Sequence, residues 1–108
     1  MDAVLAAVAD PGRRTLLTAL RNGPRTANEL AALLPIARPG VSRHLRVLRE
    51  AGLVEVEADA QRRIYRLRPE PLAEVEAWLA PYRDLWTQRV DALHTEIARG
   101  RRRGEEQA

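Results

Sequence analysis

The stretch that most constrains the fold is residues 38–53, RPGVSRHLRVLREAGL. Val41, Leu45 and Leu48 recur at helical spacing and therefore line one face of a predicted helix. Gly52 then ends that helix, because glycine adopts a left-handed C-terminal conformation at little cost. The opposite face carries arginine and serine: Arg38, Ser42, Arg43, Arg46 and Arg49. A short helix with an apolar back and an arginine-rich front is suited to the major groove of DNA.

A second short helix is predicted just before this one. Thr26 and Glu29 have the spacing of a capping box, and an apolar stripe follows them to about residue 34, formed by Leu30, Leu33 and Leu34. Residues 35–37 make a tight connection, and Pro39 is tolerated because amides in the first turn of a helix lack internal partners. Two short helices joined in this way, the second basic on its outer face, predict a helix-turn-helix.

A β-hairpin is predicted after Gly52, where the apolar period changes from about 3.6 residues to about 2. Residues 53–57 alternate as a half-buried strand, and Arg62–Leu67 forms a second strand. Residues 58–61 are expected to be a loop, and a poor tight turn, because they contain no glycine. A hairpin after a helix-turn-helix is the wing of a winged helix, and this wing carries Arg62, Arg63, Arg66 and Arg68.

The N-terminal part of the chain is predicted to be helical. Residues 3–9 are apolar and helix-prone. Asp10 then has the character of an N-cap followed by proline at the first helical position, so a helix is expected over about Pro11–Arg21.

A long apolar helix is predicted at the other end of the chain. Apolar residues recur every three or four positions from Leu72, close to a heptad repeat, and Pro81 is expected to kink or split this helix. Its apolar area exceeds what one small domain buries, so a second copy of the chain is the expected partner. The predicted dimer contacts, from the first and last helices, are Val4, Leu5, Val8, Leu79, Tyr82, Trp86, Val90 and Leu93.

Charge is distributed unevenly along the chain. Residues 11–68 carry 12 arginines and five acidic residues, a net charge of +7, whereas residues 1–10 carry −2 and residues 69–97 carry −4. A basic middle between acidic ends indicates that the middle meets a polyanion, and double-stranded DNA is the expected partner. We expect Arg38 and Arg43 to read base edges, Ser42 to contact a base or a phosphate, and the other basic residues to hold phosphates. The candidate DNA-binding residues are Arg38, Pro39, Ser42, Arg43, His44, Arg46, Arg49, Arg62 and Arg63.

Several classes of site are absent from the sequence. The chain has no cysteine, which excludes disulfides, thiolate metal sites and cysteine nucleophiles. It has no glycine-rich phosphate loop and no Gly-x-Ser-x-Gly or His-Glu-x-x-His motif, so we expect no enzyme, cofactor or metal site. No run of about 18 apolar residues and no leader are found, and a cytoplasmic protein without membrane contact is expected.

The two histidines are given structural roles. His44 is expected to be half-buried and to bond a neighbouring helix or a phosphate. Asp91 and His94 are three residues apart and form at most half of a metal site completed across a dimer, and an exposed helical histidine is far commoner.

Four motifs together resemble the ArsR-type winged-helix repressors: DPGRR at residues 10–14, NELA at 28–31, VSRHLRVLREAGLV at 41–54 and YRL at 65–67. The stretch WLAPYR at residues 78–83, with Trp86, is similar to the metal-independent branch of that family. The resemblance implies a homodimer, formed by the first and last helices, that binds an inverted-repeat operator and represses transcription, commonly of its own operon.

Three departures from the family pattern matter. Residues 26–28 are Thr-Ala-Asn where the thiolate sensors have cysteines, so metal sensing by cysteine is excluded. The Asp and His site of the terminal helix is only partly matched, by Asp91 and His94 at the wrong spacing. Ala37 replaces the usual Ser or Thr cap of the recognition helix, a loss of roughly 1 kcal/mol.

The sequence therefore predicts a mainly α fold with a small β-hairpin, a winged helix-turn-helix that dimerises through its first and last helices. Residues 1–98 are expected to form the DNA-binding and dimerisation domain, and residues 99–108 a charged, disordered tail. Two alternatives stay open: a winged helix that binds proteins, and a repressor with a ligand or metal sensor site that uses no cysteine.

Overall fold

The structure, a computed structural model, describes residues 1–107. The chain divides into two compact units, Met1–Val75 and Glu76–Ala108. The elements in chain order are α1 (Asp2–Val8), α2 (Pro11–Arg21), β1 (Arg25–Thr26), α3 (Ala27–Ala31), α4 (Arg38–Glu50), β2 (Val54–Asp59), β3 (Arg62–Leu67) and α5 (Leu72–Gln107).

The core of the first unit lies where α1, α2, α3 and α4 meet the sheet. The α4 side chains that the sequence placed on one face, Val41, Leu45 and Leu48, are all buried. The largest of the fully buried side chains are Leu16, Leu30, Leu48 and Leu53. Burial of a side chain of this size contributes about 1.5–3 kcal/mol, so these leucines fix how α4 sits on the other helices.

Local capping explains where α2 and α3 begin. Asp10 Oδ2 accepts a hydrogen bond from the Arg13 amide at 3.0 Å, with proline at the first helical position, as the sequence predicts. At α3 the Glu29 amide donates to Thr26 Oγ1 at 3.2 Å and the Thr26 amide donates to Glu29 Oε1 at 3.0 Å. The predicted capping box is therefore confirmed.

Helix α3 is shorter than the sequence suggested, because it ends at Ala31 rather than near residue 34. The Leu33 amide bonds the Leu30 carbonyl at 3.1 Å, which tightens the last turn. The residue before a proline disfavours helical backbone, and Pro35 follows at once. As a result Leu33 is exposed, and only Leu30 of the predicted stripe is fully buried.

The end of α4 connects the helix directly to the sheet. Gly52 has φ +79°, its amide donates to the Arg49 carbonyl at 2.9 Å, and the Leu53 amide donates to the Leu48 carbonyl at 3.0 Å. These are the two bonds of a Schellman motif. The predicted glycine stop is confirmed, and it delivers Leu53 into the core just before β2.

The sheet has three antiparallel strands in the order β1-β3-β2, one more than the predicted hairpin. The added strand β1 pairs Arg25 with Tyr65 and Thr26 with Ile64. Two residues are too few to show an alternating pattern, so periodicity could not reveal β1. The β2–β3 register runs from Val54 opposite Leu67 to Asp59 opposite Arg62, which places Tyr65 in the core.

The wing turn is tighter than the predicted loop at residues 58–61. Because Asp59 pairs with Arg62, only Ala60 and Gln61 remain in the turn. Ala60 has φ +57°, a left-handed conformation in which its Cβ crowds the following carbonyl. The turn therefore forms without the glycine that such turns favour, at a cost in backbone strain.

Helix α5 runs from Leu72 to Gln107 with Pro81 inside it. It is not split at Pro81, because proline removes one amide donor while the turns on either side keep their own bonds. Its helical residues include 99–107, where a disordered tail was expected, and the prediction for Ala108 lies outside the described residues. None of the helices between Met1 and Gln107 is both long and apolar enough to cross a membrane.

We predict that Ala60→Gly stabilises the protein by about 1 kcal/mol, because glycine adopts the left-handed conformation without the Cβ clash. Thermal unfolding measures this, and for a domain of this size the midpoint should rise by roughly 4–8 °C. Gln61→Gly is the matched control and should give no gain, since Gln61 has no positive φ. Equal thermal unfolding midpoints for Ala60→Gly and the unmodified chain would show that the backbone at Ala60 is not strained.

Candidate nucleic-acid interface

The outward face of α4 is open and basic. Arg43, Arg46 and Arg49 are exposed, as are Pro39 and Ser42, and all lie opposite the buried leucines of this helix. Among the residues that the structure describes, the three guanidinium groups form no ion pair or hydrogen bond. Their charges are thus available to a polyanion without breaking a contact within the protein.

Arg38, at the start of α4, is already engaged. Its Nη1 donates to Asn28 Oδ1 of α3 at 2.8 Å. The N-cap residue Ala37 makes no side-chain cap, so this contact is one of the bonds that hold the beginning of α4 against α3. Sequence reasoning missed Asn28 because the pair is ten positions apart and crosses the turn of the helix-turn-helix.

The wing arginines differ from those of α4, because most of them face an acidic residue. Arg62 Nη2 donates to Asp59 Oδ2 at 2.9 Å, and Arg66 Nε lies 3.7 Å from Glu57 Oε2. Arg63 has no such partner within the described residues. Exposed ion pairs are worth at most about 1 kcal/mol, so a phosphate competes with them easily, but Arg63 is available without any exchange.

A groove of about 250 Å³ joins the tip of the wing to the start of α3. Its lining residues are Thr26, Ala27, Asn28, Gln61, Arg62 and Arg63. Because Asn28 also holds Arg38, the wing tip, the N-terminus of α3 and the N-terminus of α4 lie side by side. The amide hydrogen bond from Thr26, with Arg25 and Arg62 nearby, holds the pKa of Glu29 below its usual value, so this acid stays charged beside the groove.

His44 lies against α2 rather than on the outward face of α4. Its side chain is 21% exposed, its Nδ1 is 3.3 Å from Arg13 Nη1, and its Nε2 is 3.8 Å from Asp10 Oδ2. The sequence left open a neighbouring helix or a phosphate as its partner. In the structure it contacts the neighbouring helix, which turns the ring away from Arg43 and Arg46.

The second unit carries a row of exposed apolar side chains along α5. Five of the predicted dimer contacts belong to it, and all are exposed: Leu79, Tyr82, Trp86, Val90 and Leu93. Trp86 is 70% exposed, and the rings of Trp78 and Tyr82 pack at 5.4 Å between centroids. Isolated exposed apolar residues are ordinary, but a continuous row indicates an unpartnered interface.

The predicted contacts on α1 differ from one another. Leu5 and Val8 are half-buried, but Val4 is only 5% exposed and belongs to the core cluster. The assignment of Val4 to a dimer contact is corrected on this point, since its side chain packs inside the first unit and offers almost no surface to a partner. Among the described residues no group of three or more His, Asp or Glu side chains is placed to hold a metal ion.

Comparison with known proteins supports one family. Residues 10–56 match the family described as bacterial regulatory protein, arsR family. The HTH-type transcriptional regulator Rv2034 of Mycobacterium tuberculosis is 40% identical over 87 residues, which cover 81% of this chain and 78% of the relative. The transcriptional repressor SdpR of Bacillus subtilis is 32% identical over 79 residues, covering 73% of this chain and 88% of the relative.

Solved structures agree with these relatives. A crystal structure of an ArsR family transcriptional regulator has a TM-score of 0.72 and 35% identity, covering 80% of this chain and 89% of that one. An ArsR-like transcriptional regulator from Rhodococcus sp. RHA1 has a TM-score of 0.66 and 30% identity, covering 85% and 87%.

We predict that Asp10 stabilises the fold only when it is charged. The amide hydrogen bond from Arg13, helped by the charge of the Arg13 side chain, lowers the pKa of Asp10 from its usual 3.8. A carboxyl with a lowered pKa stabilises the folded state above its unfolded pKa, and this contribution is lost as the pH falls through the folded pKa. Asp10→Asn keeps an oxygen for the cap but carries no charge.

The stability advantage of the unmodified chain over Asp10→Asn should therefore shrink as the pH falls from about 6 to about 3, as measured by urea unfolding. A difference that stayed constant over this range would show that the charge of Asp10 does not contribute.

Proposed function

The chain belongs to the arsR family of bacterial regulatory proteins and is a DNA-binding transcriptional repressor, and we propose that it acts as a homodimer on an inverted-repeat operator. The observation that carries the proposal is the row of exposed, unpaired guanidinium groups on α4, the second helix of the helix-turn-helix. Proteins of this family regulate transcription, and we propose no catalytic step for this chain. A role as a protein-binding module would not need this arginine surface.

We assign different roles to the residues of the interface. Arg43 reads a base edge, since a bidentate contact from arginine to guanine is the commonest specific one, and Ser42 beside it contacts a base or a phosphate. Arg46 and Arg49 lie further along α4 and hold phosphates. Arg38 shares its charge between Asn28 and the DNA, because an arginine has five N–H donors and the contact with Asn28 uses one of them.

The wing adds contacts to the backbone of the DNA. Arg63 is the primary phosphate contact, because no acidic side chain in the described part of the chain pairs with it, and Arg62 contributes after exchanging Asp59 for a phosphate. Such contacts release counterions from the DNA, so they raise affinity for every sequence and weaken with salt.

The dimer supplies the two-fold symmetry of the operator. The exposed apolar row of α5, from Leu79 to Leu93, packs against the same row of a second copy, with Leu5 and Val8 of α1 as further contributors. Two α4 helices then enter successive major grooves of half-sites about 10 base pairs apart.

We propose that the protein acts in the cytoplasm and represses its own operon. A dimer bound at its own promoter would block the polymerase.

Arg43→Ala should weaken binding to the operator by about 1–3 kcal/mol and relax the preference at one base pair, while affinity for random DNA changes little. Arg63→Ala should weaken binding to both and lower the salt slope by about one. Fluorescence anisotropy at several salt concentrations, with an operator selected from a randomised pool, measures both effects.

The control for the wing is Arg66→Ala, whose guanidinium already faces Glu57 and which should change the salt slope less than Arg63→Ala. If Arg43→Ala weakened operator and random DNA equally, Arg43 would hold a phosphate only. If the protein preferred no sequence in the pool, the proposed mode of DNA reading would be wrong.

Trp86→Asp should convert the dimer into monomers, because it places a charge in the centre of the apolar row. Sedimentation at micromolar concentration measures the change. Thr87→Asp introduces the same charge on a polar side of the same helix and should leave the dimer intact. Dimers that persist in Trp86→Asp would exclude this row as the interface.

A further inference from the structure

Arg13 joins three elements of the first unit through a single guanidinium group. Its Nε donates to the Ala7 carbonyl at 2.6 Å and its Nη2 donates to the Ala6 carbonyl at 3.1 Å, both in the last turns of α1. Its Nη1 lies 3.3 Å from His44 Nδ1 on α4. Arg13 itself belongs to the first turn of α2. We propose that Arg13 is a positioning residue for DNA reading, which fixes α4 against the end of α1 through His44.

The chemistry of the contact sets the state of His44. Arginine is always protonated and can only donate, so His44 Nδ1 must be the acceptor. The ring proton then sits on Nε2, which faces Asp10 Oδ2 at 3.8 Å. Asp10 also accepts the main-chain amide of Arg13 at 3.0 Å, so the two residues that flank the imidazole are themselves linked. The ring is thereby held by the hydrogen bond at Nδ1, while Nε2 lies near Asp10 Oδ2 beyond hydrogen-bond distance.

The packing around the ring leaves it little freedom. A Cβ added at Gly12 would lie 3.1 Å from Asp10 Oδ2 and 3.4 Å from His44 Nε2. Gly12 therefore allows the first turn of α2 to approach α4 closely at this point. Arg43 is adjacent to His44 on α4 and is exposed on its outward face, so a shift of this turn of α4 at His44 also moves Arg43.

The position of helix α4 depends on the contact between Arg13 and His44, because the start of the helix lacks a side-chain cap. Its N-cap is Ala37, which provides no side-chain hydrogen bond. Two side-chain contacts compensate, namely Arg38 with Asn28 at the start of the helix and His44 with Arg13 near its middle. The first ties α4 to α3, and the second ties it to α1 and α2.

Arg14 provides a matched control within the same turn. Its Nη1 donates to the Val8 and Ala9 carbonyls at 2.9 and 3.0 Å, so it also binds the end of α1 through two carbonyls. Among the described residues it makes no hydrogen bond or ion pair with α4. Arg13 is half-buried and Arg14 is exposed, and of the two only Arg13 has a side-chain bond to α4, the one to His44.

The proposal rests on DNA binding by α4, and its test compares Arg13→Ala with Arg14→Ala. Both variants lose two bonds to α1, and Arg13→Ala also loses the bond to His44, so it should unfold at a somewhat lower temperature, and binding is compared where both variants are fully folded. Arg13→Ala should weaken operator binding about tenfold more than Arg14→Ala, the effect expected when one hydrogen bond of a charged group is lost. Amide hydrogen exchange without DNA should be faster in α4 of Arg13→Ala than in α4 of Arg14→Ala.

Two substitutions of His44 distinguish the role of Nδ1 from that of Nε2. His44→Asn keeps an acceptor near the place of Nδ1 and should retain most of the affinity, whereas His44→Gln carries its amide nearer to Nε2 and should behave like Arg13→Ala. The double variant of Arg13→Ala with His44→Gln should lose no more operator affinity than either single variant, because both substitutions remove the same contact.

Equal operator affinities for Arg13→Ala and Arg14→Ala would overturn the proposal, as would losses that add in the double variant. The exchange comparison decides it independently of DNA: equal exchange in α4 for the two arginine variants also overturns it. An unmodified protein that selected no sequence would instead defeat the proposed DNA reading, so the two failures are distinguishable.

Discussion

The burial of the apolar back of α4 is the interaction on which the rest of this structure depends. Val41, Leu45 and Leu48 are placed in the core with Leu16 and Leu30 of the preceding helices. Because a helix has a fixed period, burying these positions leaves the intervening arginines outside. The hydrophobic core of the protein and its DNA-facing surface are thus two consequences of one pattern, and neither can be changed without moving the other.

The sequence predicted most closely the elements whose signals are local. The helices Pro11–Arg21 and Arg38–Glu50 begin and end where a cap, a proline or a glycine marks them, and the strand Val54–Asp59 was expected from the alternation of residues 53–57. The interactions that it missed join distant positions: β1 pairs across the sheet, and Asn28 binds Arg38 across a turn. Such pairs depend on how the helices and strands pack together, and a short window of sequence carries no information about that packing.

Two expectations failed for identifiable physical reasons. The loop at the tip of the wing was expected to be longer, because a tight turn without glycine is unfavourable, yet the pairing of Asp59 with Arg62 outweighs the strain at Ala60. Pro81 was expected to kink or split α5, and the split does not occur, because the helix continues beyond it. In both cases a local penalty of a few kcal/mol is smaller than what the longer element gains.

The alternation of the hairpin has a consequence for how the wing can vary in length. Val56 and Tyr65 face the core, whereas Glu57 and Arg66 face solvent. Adding one residue to each strand would invert every side chain beyond the insertion, but adding two would preserve the faces and lengthen the reach by about 7 Å. The strands of such a wing can therefore lengthen only by an even number of residues. A wing lengthened in this way would contact more of the phosphate backbone while the helices stayed unchanged.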